Sequence, residues 1–451
     1  MTARGPDTSN VAVGGGSVTE ARRVAAELCA DLRRGELLDP AFEIRSVVLD
    51  ARDRRWTQEL IYGMLRRRSW IDAVLAARVR GGLARLDPDV IDLLRLGVYQ
   101  LLFMGSVPAY AAIAQTVELT KGRHGLGASK LANAVLRRVD REQGALDVPT
   151  PTDPVDALAL GYSHPRWLVA RWIGRWGAAD TELLLQANNS EAPVVLRPYG
   201  TSHEQLEATL ESAGVRVEDV PLVRDSIQLG GGVSLTELGA FRQGLFFVQD
   251  PASTLVSRYA AIPPGQTVAD LCAAPGGKAL ELSRDGNTIV AGDRSYVRTQ
   301  RMRAGLRRVD ARSVHPVVAD ARHPAVRPVD AVLLDVPCTG TGTFRRRPDA
   351  RWRLKVSDLA VMAALQRSIL RAAAAVVKPG GLLVYGTCSL EPEENDAQVE
   401  SFLAESPEWR LEPPAEGVVP GSVLDAGRLR VLPQRHGVDG AFAARMKRAA
   451  G

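Results

Sequence analysis

The feature that most constrains the fold is a regular alternation of short apolar runs and helical stretches in the carboxyl-terminal part of the chain. The apolar runs span residues 267–271, 288–291, 314–318, 331–334 and 382–386. Strands that alternate with helices predict a mostly parallel sheet with helices on both faces. We therefore expect a doubly wound α/β domain over residues 251–451. The run that contains Pro316 should lie near an edge, because proline lacks the N–H that a central strand donates.

The residues before this domain follow other patterns. Residues 1–17 are rich in Gly, Ser and Thr, and we expect a disordered tail there. Over residues 18–142, apolar side chains recur at three- and four-residue spacing, which predicts an all-α domain. Prolines among small polar residues predict a linker at 143–155. Short β-like runs mixed with helices predict a small α/β subdomain at 156–250.

Composition limits the class of protein. The chain has 451 residues, more than one hydrophobic core normally serves, and its 57 Lys and Arg against 52 Asp and Glu are compatible with an anionic partner. Its four cysteines are too few and too widely spaced for a disulfide framework or a CxxC metal site, so we expect reduced thiols in the cytoplasm and no metal. No apolar run approaches the ~20 residues that a membrane-spanning helix needs, and we expect no membrane embedding.

A glycine-rich turn follows the first predicted strand. It reads Asp270-Leu-Cys-Ala-Ala-Pro-Gly-Gly-Lys278, and its small residues would let the backbone approach a ligand closely. The pattern is neither GxGxxG nor a P-loop, which makes nicotinamide and ATP less favoured ligands. Asp293 ends the second run, roughly 20 residues later, where an acid commonly meets ribose hydroxyls. An adenosine-containing cofactor is therefore expected.

Further chemically active side chains follow the other strands. Asp320 follows the third run, Asp335 closes the fourth, Cys338 lies three residues beyond Asp335, and Cys388 follows the fifth run. Ligands of doubly wound sheets bind beyond the carboxyl ends of the strands, so these side chains and Asp293 should converge on one crevice. A single acid at a strand end is usually a helix cap, and a single cysteine is usually a small buried hydrophobe. The coincidence of all five favours an active site.

These motifs resemble those of a known family. Cys-Ala-Ala-Pro-Gly-Gly-Lys at 272–278, Asp-Val-Pro-Cys-Thr-Gly-Thr-Gly at 335–342 and Gly-Thr-Cys-Ser-Leu at 386–390 are similar to signatures of the RNA cytosine-5 methyltransferases. Tyr-Gly-Met-Leu-Arg-Arg at 62–67 and Asn-Ala-Val-Leu-Arg-Arg at 133–138 resemble phrases of NusB-like RNA-binding domains. Together the domains resemble the RsmB (Sun, Fmu) branch, which modifies 16S ribosomal RNA.

The resemblance implies a Rossmann-like class I methyltransferase domain, with S-adenosylmethionine as cofactor. It implies that Cys388 adds to carbon 6 of cytosine and that Cys338 helps to resolve the adduct. Asp335 would hydrogen-bond the N3/N4 edge of the base, and Lys278 would help to keep Cys388 ionised. The cofactor-contacting positions it implies are Cys272, Ala273, Ala274, Pro275, Gly276, Gly277, Lys278, Asp293, Asp320 and Asp335.

Several groups of arginines are candidates for RNA contacts. Runs of charge are usually solvated faces, but beside a nucleotide-modifying crevice a phosphate-binding role is the better interpretation. The NusB-like resemblance implies RNA contacts for Arg66, Arg67, Arg68, Arg137 and Arg138. Near the predicted crevice, the candidates are the basic run 345–355 together with Arg298, Arg301, Arg303, Arg307 and Arg308.

Alternative functions remain at this stage. A tRNA or 23S rRNA cytosine-5 methyltransferase would keep every catalytic residue and differ in its RNA-binding parts. A non-catalytic RNA-binding assembly factor is disfavoured, because both cysteines and all the acids are intact. Adenine N6 methylation is disfavoured too, because Asp335-Val-Pro-Cys stands where Asn/Asp-Pro-Pro-Tyr/Phe is expected. We expect a monomer that acts on ribosomal RNA.

Overall fold

A computed structural model describes residues 18–146, 148 and 151–451. The tail expected at 1–17 lies outside the described residues, as does part of the expected linker. The chain divides into two compact units, one ending at Val169 and the other running from Ala170 to Gly451. The finer boundaries at 142, 155 and 250 stay predictions.

The first unit is helical, as its periodicity predicts. Three of its helices begin with aspartate caps, in which Asp50, Asp87 and Asp153 each accept a hydrogen bond from a backbone N–H of the first turn. The longest helix is kinked at Gly125, whose φ of 78° lies in the left-handed region that glycine tolerates. The helices are α1 (Glu20–Arg33), α2 (Leu38–Arg45), α3 (Ala51–Arg66), α4 (Arg68–Ala76), α5 (Pro88–Phe103), α6 (Ala109–Arg141) and α7 (Pro154–Gly161).

A small α/β layer follows. All strand pairs of its sheet are antiparallel, in the order β2-β3-β1-β4. Leu196, Leu206 and Phe246 are fully buried between this sheet and the helix beside it. The elements are α8 (Arg166–Asn189), β1 (Val195–Pro198), α9 (His203–Ser212), β2 (Val217–Asp219), β3 (Ile227–Leu229), α10 (Gly239–Arg242) and β4 (Phe246–Val248).

The rest of the chain forms a large mixed sheet with helices. Its strands follow the order β11-β12-β13-β9-β8-β5-β6-β7, and β10 pairs with β13. The elements are α11 (Pro251–Tyr259), β5 (Thr267–Asp270), α12 (Gly277–Ser283), β6 (Thr288–Asp293), α13 (Tyr296–Arg308), β7 (Val314–Val318), β8 (Val329–Asp335), α14 (Ala350–Arg353), α15 (Val356–Ala375), β9 (Val377–Thr387), α16 (Asp396–Glu405), β10 (Trp409–Leu411), β11 (Leu424–Asp425), β12 (Arg428–Val431), α17 (Pro433–His436) and β13 (Ala441–Arg448).

The parallel part of this sheet confirms the doubly wound prediction. Strands β5 to β9 pair in parallel, and the chain reverses its direction of travel across the sheet between β7 and β8. The crevice for a ligand is therefore expected beyond β5 and β8, where the strand order switches. Pro316 lies in β7, which ends the sheet on that side, as its missing N–H predicts.

Sequence analysis did not predict the antiparallel extension beyond β9. Strand β13 pairs with β9 in a register that sets Phe442 opposite Thr387. The turn that precedes β13 thereby reaches the loop after β8, where Gly440 N–H donates to the Gly342 carbonyl at 2.7 Å. The carboxyl-terminal strand therefore forms one wall of the crevice.

Within the described ranges, no helix is long and apolar enough to cross a membrane.

Candidate active site

The glycine-rich turn joins β5 to α12 and passes close to its neighbours. A Cβ at Gly277 would lie 2.9 Å from Gln249 Nε2, and one at Gly276 would lie 3.0 Å from Met302 Cγ. Gly276 also has a φ of 107°. The positive φ makes glycine the favoured residue at position 276, and at position 277 an added Cβ would need only a shift of the Gln249 side chain. The turn thus presents backbone in place of side chains at the end of β5.

Asp270, the last residue of β5, is a buried acid whose charge is only partly compensated. It is fully buried, and no hydrogen bond of normal geometry from the described residues reaches either carboxylate oxygen. Burial, reinforced by the negative charge of Asp335, raises the pKa of Asp270 to about 7, although Lys278 and the Cys272 backbone N–H oppose this effect. The site therefore contains a carboxyl group that a bound cation would stabilise.

Asp293 and Asp320 follow neighbouring strands. The Asp293 carboxylate is 3% exposed, accepts the Ser295 N–H at 2.9 Å and lies 3.0 Å from Arg298 Nη1. Asp320 is more exposed, and hydrogen bonds from the side chain and backbone of Arg322 hold its pKa below its ordinary value. The Ala319 N–H donates to the Asp293 carbonyl at 3.1 Å, so both acids lie at the same end of the sheet.

Lys278 and Asp335 join the cofactor turn to the loop after β8. Lys278 Nζ lies 2.7 Å from Asp335 Oδ2. Burial alone would lower the pKa of Lys278, but the Asp335 carboxylate raises it above its ordinary value. The lysine is therefore a cation at neutral pH, and it also interacts with Cys388.

The two predicted thiols are in contact. Cys338 Sγ lies 3.2 Å from Cys388 Sγ, too far for a disulfide and close enough for an S–H···S hydrogen bond. Cys388 borders a cavity of about 30 Å³ that Lys278, Asp335, Thr343 and Gly440 also line. Loops that follow β8 and β9, 50 residues apart in the chain, thus form one thiol pair.

The charges around the pair differ between its two members. The hydrogen bond from Cys338 lowers the pKa of Cys388 despite burial, with Arg347 and Lys278 adding to the effect. The same hydrogen bond and burial raise the pKa of Cys338 well above its ordinary value. The pair is therefore arranged for a thiolate at Cys388 and a thiol at Cys338.

The basic run 345–355 corrects one expectation. Arg345 is 5% exposed and Arg351 is fully buried, so these guanidinium groups cannot receive RNA phosphates. Arg345 lies 3.0 Å from Asp250 Oδ2, and Arg351 Nη1 donates to Asn189 Oδ1 at 2.7 Å. Sequence reasoning failed here because a charge run looks the same whether its partners are water or distant acids. Arg347, Arg353 and Lys355 of the run are exposed.

The arginines of the helical unit differ in exposure. Arg67, Arg137 and Arg138 are exposed, and Arg138 Nε donates to Glu142 Oε1 at 2.8 Å. Arg66 and Arg68 are partly buried. Their role in RNA binding stays a prediction.

Sequence reasoning missed Glu394, which contacts the residue after each of the two cysteines. It lies in the acidic phrase Glu391-Pro-Glu-Glu-Asn395, six residues beyond Cys388. Its closeness to Cys388 in the sequence was the signal that could have identified it as part of the site. Among the described residues, no group of three or more His, Cys, Asp or Glu side chains is arranged to hold a metal ion.

The sheet and its thiol pair together define a Rossmann-like methyltransferase. Three family models match the chain: 16S rRNA methyltransferase RsmB/F over residues 260–447, the NusB family over 19–141, and an RsmF/B-like ferredoxin-like domain over 164–236. The chain belongs to the RsmB/F family of 16S rRNA methyltransferases.

Relatives match along most of the chain. A probable ribosomal RNA small subunit methyltransferase B of Synechocystis is 36% identical over 448 residues, covering 95% of this chain and 99% of the relative. The ribosomal RNA small subunit methyltransferase B of Vibrio cholerae is 34% identical, covering 89% and 94%. The crystal structure of the protein PH0851 has a TM-score of 0.80 at 30% identity, covering 95% of this chain and 98% of that one.

Proposed function

We propose that this protein transfers a methyl group from S-adenosylmethionine to carbon 5 of a cytosine in 16S ribosomal RNA, through a covalent adduct on Cys388. The observation that carries the proposal is the 3.2 Å contact between the thiols of Cys338 and Cys388 at the carboxyl ends of β8 and β9. Carbon 5 of cytosine is a weak nucleophile, and addition of a thiolate at carbon 6 makes it nucleophilic.

The residues around the cofactor turn fit S-adenosylmethionine. Asp270 is a buried carboxyl group with no hydrogen bond of normal geometry to either oxygen, which suits a ligand that carries positive charge. The turn at 272–278 would hold the cofactor by its backbone, and Asp293 and Asp320 would accept hydrogen bonds from its hydroxyl and amino groups. When bound, S-adenosylmethionine supplies an electrophilic methyl group.

The chain's own residues would act in turn on the base. The Cys388 thiolate forms a bond from sulfur to carbon 6, while Asp335 hydrogen-bonds the N3/N4 edge and Lys278 stabilises the thiolate before attack. After methylation, solvent accepts the proton from carbon 5, and the electron pair of that carbon–hydrogen bond forms the C5–C6 double bond while the sulfur–carbon bond breaks and Cys388 leaves as the thiolate. Cys338, in contact with Cys388, assists that release.

The assignment of ribosomal RNA as the substrate is supported by the family and by the relatives, which are named ribosomal RNA small subunit methyltransferase B. We propose that residues 18–142 form an RNA-binding domain and that residues 251–451 form the catalytic domain. The exposed arginines Arg67, Arg137 and Arg138 would contact phosphates.

Bisulfite sequencing tests the proposal directly. Ribosomal RNA from cells that lack the gene is compared with RNA from cells that carry the wild-type gene or Cys388→Ala. We expect one 16S cytosine to resist deamination only with the wild-type gene. A gene-dependent protected cytosine in tRNA or 23S rRNA would show that one of those RNAs is the substrate. The absence of any gene-dependent protection would contradict cytosine-5 methylation.

A further inference from the structure

Glu394 is a buried carboxylate that the reaction outlined above leaves without a role. It ends the short turn Pro392–Glu394 after β9, and its side chain is inaccessible to solvent. A carboxylate is rarely buried in this way unless donors satisfy both of its oxygens.

The donors to Glu394 come from both cysteine loops. Oε1 accepts the Thr339 N–H at 2.9 Å and Gln366 Nε2 at 2.8 Å. Oε2 accepts the hydroxyl groups of Thr339 and Ser389. Thr339 follows Cys338 and Ser389 follows Cys388, so one carboxylate binds the neighbour of each thiol. Each of these bonds is donated to Glu394, which is the arrangement that satisfies the oxygens of a buried carboxylate.

Other contacts make this junction rigid. Gln366 Nε2 also donates to the Pro337 carbonyl at 2.9 Å, just before Cys338. The Tyr385 hydroxyl donates to the Glu394 carbonyl at 2.6 Å, and Asn395 Nδ2 donates to the Ser389 carbonyl at 2.8 Å. The turn that carries Glu394 is therefore tied to β9 and to both thiol loops.

We propose that Glu394 is a positioning residue that holds the two thiols in contact and keeps the proton of the pair on Cys338, leaving Cys388 as the thiolate. This inference rests on the proposed function, in which Cys388 attacks the base. It assigns to the acidic phrase after Cys388 a role in choosing the nucleophile.

Charge around the pair supports this proton placement. The charged groups that act on the thiols are Asp335 from β8, Lys278 from α12, Arg347 from the loop before α14, and Glu394. Asp335 opposes ionisation of both thiols, so it does not select between them. Lys278 and Arg347 favour the thiolate of Cys388, whereas Glu394 adds to the raised pKa of Cys338. Cys388 is therefore influenced by positive charges that Cys338 does not share, and Cys338 by the negative charge of Glu394.

Thiol alkylation of the free protein tests the proposal without RNA. Both cysteines are partly accessible to solvent. Limited reaction with iodoacetamide, followed by peptide mass spectrometry, measures the ratio of Cys388 to Cys338 modification. We expect wild type to react mainly at Cys388. In Glu394→Gln, which keeps the side-chain shape but removes the charge, the ratio should fall at least about fivefold, as expected for loss of a nearby buried charge.

The neighbouring acid gives a matched control. Glu393→Gln removes a charge that is paired with Arg171 and partly exposed, and it should leave the ratio unchanged. If Glu394→Gln does not fold, Thr339→Val serves instead. It keeps the charge of Glu394 but removes a hydroxyl that ties this carboxylate to the loop of Cys338, so the contact between the thiols should loosen and the ratio should fall, while Thr339→Ser should restore it.

The outcomes separate this inference from the proposed function. A folded Glu394→Gln protein with the wild-type ratio would overturn the inference, as would a wild-type protein that reacts mainly at Cys338. A shifted ratio supports it even if bisulfite sequencing finds no methylated cytosine, because alkylation reports only on the thiol pair.

Discussion

Lys278 Nζ and Asp335 Oδ2 lie 2.7 Å apart, and this ion pair connects the turn after β5 to the loop that carries Cys338. The lysine also acts on Cys388, whose pKa it helps to lower. The Lys278 ammonium group thus lies next to the residues that we assign to the cofactor and to the base, and it acts electrostatically on the nucleophile.

Replacing Lys278 should change the pH dependence of methylation. Loss of a positive charge raises the pKa of the Cys388 thiol, so the thiolate fraction at a given pH falls. In Lys278→Gln, the rate at neutral pH should drop roughly tenfold, the effect of about one pKa unit, and recover as the pH rises. Single-turnover rates at saturating S-adenosylmethionine measure this effect. A variant profile parallel to that of wild type would argue against a role in ionising the thiol.

Removing Cys338 should trap the covalent intermediate. If Cys388 adds to the ring and Cys338 helps to release it, Cys338→Ala should yield a slowly migrating, denaturant-resistant protein–RNA band when RNA and S-adenosylmethionine are supplied. The double variant that also carries Cys388→Ala should form no band. A well-folded Cys338→Ala protein that turns over without an adduct would assign Cys338 a packing role only.

Asp293→Ala should weaken cofactor binding. Its carboxylate is almost fully buried at the end of β6, where it would accept hydrogen bonds from the cofactor. We expect an affinity loss of roughly 10- to 100-fold, or ~1.5 to 3 kcal/mol, by calorimetric titration. Asp310→Ala, which removes an exposed acid paired with Arg312, is the control and should bind normally. Equal affinities for the two variants would mean that another acid holds the cofactor.

Gly342→Ala should impair both stability and turnover. A Cβ at this position would lie 2.7 Å from Gly440 Cα and 2.8 Å from the Cys388 carbonyl oxygen, and neither backbone can move without disturbing the thiol loop. We expect a loss of about 1 to 3 kcal/mol of unfolding free energy and a lower kcat. Gly305→Ala, in α13 with nothing within 4 Å of the added carbon, should be neutral or slightly stabilising. Similar behaviour of the two variants in urea unfolding would refute the crowding argument.

Asp270 should make stability depend on pH. Its folded-state pKa of about 7 exceeds the ordinary 3.8, so charging this group in the folded protein is unfavourable. The associated stability is present below about pH 4 and is lost as the pH rises through 7. Asp270→Asn should therefore reduce the decline in unfolding free energy between about pH 5 and pH 8 by about 2 to 3 kcal/mol. Urea unfolding at both pH values measures it. An unchanged decline would mean that unseen partners already stabilise the charge.

Much of the site could be predicted from local sequence, because parallel strands bring their carboxyl ends to one edge. The motifs at 272–278, 335–342 and 386–390 each end or follow a strand, so their convergence required only the strand–helix alternation. Pro316 at the sheet edge followed from its missing N–H alone.

The remaining features depend on contacts between residues far apart in the chain. Arg351 looked like part of a solvated basic run, yet it lies buried against Asn189, 162 residues away in the chain. Glu394 gained its position only when the loop after β8 reached it, since its partner Thr339 lies 55 residues earlier.

The sequence by itself determined the class of fold, the succession along the chain of the strands that carry the acids, and the two cysteines, because these follow from periodicity and short motifs. The tertiary structure decided which charged groups are buried, that β13 closes the crevice beside β9, and that Cys338 and Cys388 face opposite charges. The reason is physical: burial and electrostatic environment depend on every element packed around a side chain, and local sequence does not specify those neighbours.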